Sequence, residues 1–208
     1  MGRLKKAVFI TFEGTEGGGK STQIRKAAAL LRRQGRRVLL LREPGGTRVS
    51  EAVRAVLLDP KNKGMRPEAE LLLYLAARAQ LVFEKITPAL SRGVSVILDR
   101  FEDSTRAYQG FGRGLSLSAI ETVSRNWVRG DLKPDLTILL DIDPARGMAR
   151  GGRHDRMEKE SLRFHRRVRQ GFLKMARRNP ERYEVIDAAL PIEEVARLVK
   201  GRLERVLR

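Results

Sequence analysis

The 208 residues include no cysteine and only two histidines, His154 and His165. The first absence removes disulfides, thiolate metal sites and cysteine nucleophiles, and with them the small cross-linked secreted scaffold. The second leaves too few imidazoles for a multi-histidine metal centre. Long apolar runs are missing too: the run nearest the start, Ala7 to Phe12, spans six residues, whereas a membrane-spanning helix needs roughly 20. With no signal or membrane segment to read, the expectation is a cytoplasmic protein with no membrane partner. Acidic charge is in deficit, 25 Asp and Glu against 43 Lys and Arg, for a net +18. Such an excess is either a solvated basic surface or a preference for polyanionic partners, nucleotides or nucleic acid.

What is present is enough to fold. Hydrophobic residues make up 41% of the chain, and the length suits one domain spanning 1–208 around one sizeable core. Short, nearly continuous apolar runs alternate with longer segments of helical period, the pattern of an α/β fold. The runs Ala7 to Phe12, Arg37 to Arg42, Val94 to Asp99, Leu136 to Asp141 and Arg182 to Asp187 predict a five-stranded parallel sheet covered by helices on both faces. Helices are predicted at Lys20 to Gln34, Val49 to Leu58, Pro67 to Ser91, Leu117 to Arg129, Pro144 to Arg150, Lys159 to Arg178 and Ile192 to Val206. Asp59 to Arg66 and Gly151 to Asp155 read as loops.

The strongest motif is Gly14-Thr15-Glu16-Gly17-Gly18-Gly19-Lys20-Ser21, a complete G-x-x-x-x-G-K-S between a predicted strand and a predicted helix. In that context the glycines let backbone N–H groups and the helix N-terminus surround phosphates, Lys20 adds a charge, and the Ser21 hydroxyl suits Mg²⁺. A nucleoside triphosphate site follows. Asp99, closing an apolar strand, suits a carboxylate near the metal, and Arg100 rather than a second acid follows it. No N-K-x-D segment supports a GTPase. Arg42 and Arg100 lie at strand ends and Arg78 in a long helix, all where an open parallel sheet forms its ligand crevice. Together they could hold an acceptor monophosphate in line with the donor.

Three further segments make the sequence resemble a known family. Arg42-Glu43-Pro44-Gly45-Gly46-Thr47, Tyr74-Leu75-Ala76-Ala77-Arg78-Ala79-Gln80 and Asp99-Arg100-Phe101-Glu102-Asp103-Ser104-Thr105-Arg106-Ala107-Tyr108-Gln109-Gly110 are similar to signature segments of the bacterial thymidylate kinases. Pro134-Asp135-Leu136, Asp155-Arg156-Met157-Glu158 and Val185-Ile186-Asp187-Ala188 extend the resemblance over nearly the whole chain. It implies a P-loop nucleoside monophosphate kinase fold with a short helical lid at about 146–158, and transfer of the γ-phosphoryl of Mg-ATP to dTMP, giving dTDP and ADP.

Residue by residue, the resemblance implies that Gly14 to Ser21, with Thr22, bind ATP, and that main chain at Ala188 borders adenine. Arg78 and Arg100 match the arginines on the dTMP phosphate, with Arg42 beside them. Tyr74 stands where the family usually stacks a phenylalanine on thymine; Gln109 matches the reader of the thymine edge, Tyr108 the ring beside the sugar, and Ser104 and Thr105 neighbours of the base. Glu16 matches a carboxylate near the 3′-hydroxyl, and Ser21 and Asp99 are the expected Mg²⁺ ligands. Gly17 replaces an arginine of eukaryotic-type enzymes, so the catalytic cation is expected from the lid, where Arg150, Arg153 and Arg156 flank Gly151-Gly152. Arg150 is favoured over Arg153. Glu43-Pro44 is a candidate cis peptide. The family also implies a homodimer through the Val49 to Ser91 region. Two alternatives stand beside this reading: a kinase for another nucleoside monophosphate, and a nucleic-acid-binding P-loop ATPase drawing on the +18 charge. No RNP-like or zinc-finger pattern supports specific nucleic-acid recognition, which leaves only weak nonspecific binding as an expected side effect.

Overall fold

The computed structural model describes residues 6–150 and 155–207. Five strands form one sheet in the order β2-β3-β1-β4-β5, and every neighbouring pair is parallel. They are β1 (Phe9–Glu13), β2 (Val38–Arg42), β3 (Ser95–Asp99), β4 (Leu136–Asp141) and β5 (Tyr183–Asp187). All five expected strands are present, and only β4 keeps both of its expected ends. Successive side chains leave a strand on opposite faces, and both faces are covered. On one, Ile10 and Phe12 of β1 pack with Leu136, Ile138 and Leu140 of β4 under α1 (Lys20–Arg33) and α9 (Ile192–Val206). On the other, Phe9, Val96 and Leu98 meet Leu81, Ile86 and Phe101, while Leu139 and Tyr183 meet Phe164, Val168 and Phe172 of α8 (Leu162–Arg178). This is the parallel α/β sandwich that the alternating pattern predicts.

Helix α2 (Arg48–Leu58) starts on a cap in which Thr47 Oγ1 accepts from Ser50 N, and α8 on one in which Ser161 Oγ accepts from Phe164 N. Helix α1 differs: its N-cap is Gly19 at φ 79°, which has no side chain to satisfy the first-turn N–H groups. Those donors face the loop instead, the arrangement that suits a bound anion. Helix α3 (Pro67–Leu81) runs through a π turn, Val82–Ile86, into α4 (Thr87–Ser91), together the one long helix expected there.

The clearest departure is α5 (Glu102–Thr105) with its π continuation Arg106–Gly112, a helical stretch that the sequence pattern does not predict. Two glycines and a π register blur the 3.6-residue period that would have exposed it. Helix α6 (Leu117–Val123) and its own π turn, Ser124–Arg129, fill the expected Leu117 to Arg129 helix, and α7 (Pro144–Arg150) lies as expected. Glu43-Pro44 is cis. Of the expected lid, residues 151–154, Arg153 among them, lie outside the described residues. Among the described residues no helix is long and apolar enough to cross a membrane.

Candidate active site

The carboxyl ends of β1, β2 and β3 open onto one cavity of about 400 Å³. Its first wall is the glycine loop between β1 and α1, represented by Glu16, Gly17, Lys20 and Ser21. Two loop glycines are demanded by geometry. A Cβ on Gly14 (φ 131°) would lie 2.3 Å from Leu140 O, and one on Gly17 (φ 71°) would lie 2.1 Å from Gly147 O in α7. The backbone of α7 therefore occupies the space that a side chain at position 17 would need.

Lys20 folds back over its own loop and donates to Gly14 O (3.1 Å) and Thr15 O (2.9 Å). Burial and the neighbouring Arg100 cation bring its ammonium down to about 8, against the opposing pull of Asp99, Glu16 and Glu13. Asp99, at the end of β3, borders the cavity with Ser21, and its buried Oδ1 has no hydrogen-bond partner among the described residues.

The second wall carries guanidinium groups. Arg100 takes a left-handed backbone (φ 68°) that is uncommon for a residue with a side chain. That turn is pinned from below by Glu13, whose Oε1 accepts from Phe101 N (2.8 Å) and whose Oε2 accepts from Ser104 Oγ (2.5 Å). Arg100 Nη1 then donates to Gly14 O (3.0 Å) and Ser104 Oγ (3.2 Å), and Nη2 to Glu16 Oε1 (2.9 Å). Glu13 is fully buried; burial and the nearby Asp103 raise its carboxyl to about 8. Arg78 is 1% exposed, donates through Nε to Glu43 Oε2 (2.8 Å) and lies over the Phe101 ring. Its buried Nη1 has no hydrogen-bond partner among the described residues, although the residue borders the cavity. Arg42 borders the same space from the end of β2 and pairs with Glu51.

Glu16 is the most heavily braced acid of the loop. Its Oε1 also accepts from Tyr108 O–H (2.7 Å), and Oε2 lies 3.4 Å from His165 Nδ1. Burial alone would raise this carboxyl, but Arg100, His165, Lys20 and Tyr108 together hold it far below the usual carboxylate range. The far end of the cavity presents Tyr74, Ser104, Thr105, Tyr108 and Gln109.

The expected site residues thus fall into three groups. Glu16, Gly17, Lys20, Ser21, Arg42, Tyr74, Arg78, Asp99, Arg100, Ser104, Thr105, Tyr108 and Gln109 share the cavity wall. Gly14, Thr15, Gly18, Gly19 and Thr22 belong to the loop and first helical turn behind it. Arg150 does not border the cavity: it donates to Ala188 O (2.9 Å) beyond the end of β5. Arg156 is buried and committed to Leu57 O and Glu70, so it is not a free lid cation. Sequence reasoning missed Glu13, Glu43, Arg54, Glu70 and His165. Only Glu13 and Glu43 carried a signal, as acids directly beside motif residues.

A profile of the family described as Thymidylate kinase matches residues 12–199. The thymidylate kinase of Deinococcus radiodurans is 50% identical over 195 residues, covering 92% of this chain and 94% of that protein. That of Pseudomonas putida strain W619 is 49% identical over 203 residues, covering 96% and 98%. The crystal structure of thymidylate kinase from Ehrlichia chaffeensis superposes with a TM-score of 0.78 at 37% identity, covering 95% of this chain and 98% of that one.

Proposed function

The chain belongs to the thymidylate kinase family, and from that premise we propose how its cavity carries out ATP:dTMP phosphotransfer. One observation carries the reading: a phosphate-binding loop, a set of arginines, and an aromatic and amide surface line a single cavity. ATP places its phosphates along Gly14 to Ser21, with Lys20 turning from the loop carbonyls to the phosphate oxygens and Ala188 near adenine. The dTMP phosphate lies against Arg100, Arg78 and Arg42, thymine against Tyr74 and Gln109, and the sugar between Tyr108 and Glu16.

The acceptor phosphate is already an anion, so no general base is needed; catalysis rests on alignment and on stabilising charge in the transferring group. Arg100 bridges the two halves, since it touches both the loop and the acceptor wall. The donors present suit Mg²⁺: the Ser21 hydroxyl and the orphaned Asp99 Oδ1 share the cavity, and among the described residues no cluster of three protein ligands competes with them. When bound with ATP, Mg²⁺ supplies neutralisation of phosphate charge. Arg150, or Arg153, reaches the transferring phosphoryl only if the lid at about 146–158 closes.

Measuring ADP release at fixed ATP with dTMP, AMP, UMP and CMP as acceptors tests the reading. A clear preference for dTMP is expected; equal rates with all four would overturn it. Val49, Val56, Leu72 and Phe83 are exposed apolar residues of the region expected to pair two copies in a cytoplasmic homodimer. Light scattering on the wild type and on Leu72→Glu checks this, with a shift from dimer to monomer expected.

A further inference from the structure

Glu70 of α3 is 0% exposed and does not line the cavity, yet four N–H groups converge on its carboxylate. Gln109 Nε2 (2.8 Å) and Arg113 Nε (3.1 Å) meet Oε1, while Arg113 Nη2 (2.9 Å) and Arg156 Nη1 (2.6 Å) meet Oε2. An ionised carboxylate only accepts hydrogen bonds, whereas a glutamine amide has one donating end and one accepting end. Beside Glu70 the amide of Gln109 therefore has one stable orientation, Nε2 toward Glu70 and Oε1 away from it. Gln109 borders the cavity next to Thr105 and Tyr108.

We propose that Glu70 is a positioning residue that fixes the Gln109 amide with its carbonyl toward the base, so that the site accepts a pyrimidine with an N–H at ring position 3 and rejects one with a bare nitrogen there. The inference rests on the reading above that Gln109 meets the base edge. Arg113 and Arg156 are part of the device because they keep Glu70 an acceptor. Burial would raise its carboxyl, but hydrogen bonds from Arg113 and Gln109 and the Arg113 charge outweigh burial and lower it. Both arginines are themselves anchored, Arg113 on Glu160 (2.6 Å) and Arg156 on Leu57 O (2.8 Å).

The test compares kcat/KM for dTMP and for 5-methyl-dCMP, which differ only along the edge in question. In Glu70→Gln the new side chain can donate, which frees the Gln109 amide to turn. The preference for dTMP is expected to narrow by about tenfold or more, the range of a good base-edge contact, with KM for ATP unchanged. An equal loss on both substrates would mean that Glu70 only supports the fold, and would overturn the proposal. Arg113→Met leaves Glu70 paired with Arg156 and should keep the preference even if the protein is less stable; a collapse of the preference there would also count against it. A wild type without preference for dTMP would instead remove the underlying reading of Gln109. Should Glu70→Gln fail to fold, the wild type answers the question by NMR, with Gln109→Met assigning the Gln109 side-chain N–H signals. Those protons are expected to stay protected from exchange and to shift little when dTMP binds. Protons that contact the base would place the amino end in the site and defeat the proposal.

Discussion

At one end the cavity is bounded by a single contiguous segment, Gly14 to Ser21, which works mainly through its backbone. At the other it is bounded by side chains from four separate places: Arg42 after β2, Tyr74 and Arg78 on α3, Arg100 after β3, and Tyr108 and Gln109 in the π continuation of α5. The loop end is made rigid by close backbone contact, Gly17 against Gly147. The acceptor end is made rigid by buried charge pairs, Arg78 on Glu43 and Arg113 and Arg156 on Glu70. The difference predicts that damage to the loop end shows in turnover, and damage to the pairs behind the acceptor end shows first in stability.

Lys20→Ala should give the largest effect, a loss of turnover of about 10²–10³-fold or more at little cost in folding, because a cation opposite developing phosphate charge is removed. Near wild-type turnover would break the comparison at its stronger end. Glu43→Gln tests the other side. It leaves Arg78 buried without its counter-charge, and breaking such a pair costs about 3–5 kcal/mol, to be read as a lowered denaturant midpoint. A fall in turnover without a fall in stability would mean that Glu43 acts on substrate rather than on Arg78. Gly17→Ala comes next. A left-handed φ costs an alanine about 1–2 kcal/mol, and its Cβ meets Gly147 O, so α7 must move. Turnover in steady-state assays should then drop by roughly the tenfold that such a penalty represents if it falls on the active conformation.

The same contrast explains what the sequence discloses. The loop end is local: strand, glycines, lysine and helix follow one another, so spacing alone announces its chemistry. All five strands were legible for a similar reason, since buried parallel strands are short continuous apolar runs. Arg42, Arg78 and Arg100 could be picked out by position, but their partners could not. Nothing near Glu70 in sequence points to Arg113 or Arg156, which lie 43 and 86 residues away. Nor does composition distinguish Arg156, held in a buried pair, from Arg150, which reaches Ala188 O. Helix Glu102–Thr105 and its π continuation escaped because a π register has no simple period to find.

The smallest expected effect is also the one that couples the two ends. Lys20 and Glu13 both titrate near 8, Lys20 because burial and Arg100 disfavour its charge, Glu13 because burial and Asp103 disfavour its own. As pH rises through this range Lys20 loses a positive charge and Glu13 gains a negative one, so both changes make the crevice less attractive to phosphate. ATP affinity should therefore fall above pH 8, by at most about tenfold per pH unit for each proton that binding must restore. Titration calorimetry in buffers of different ionisation enthalpy would detect the proton uptake directly. Glu13→Gln separates the contributions: it removes the acid beneath Arg100 but leaves Lys20 at the loop, so proton uptake should drop without disappearing. Uptake unchanged in Glu13→Gln would assign the whole effect to the loop end, and uptake abolished would assign it to the turn that carries Arg100.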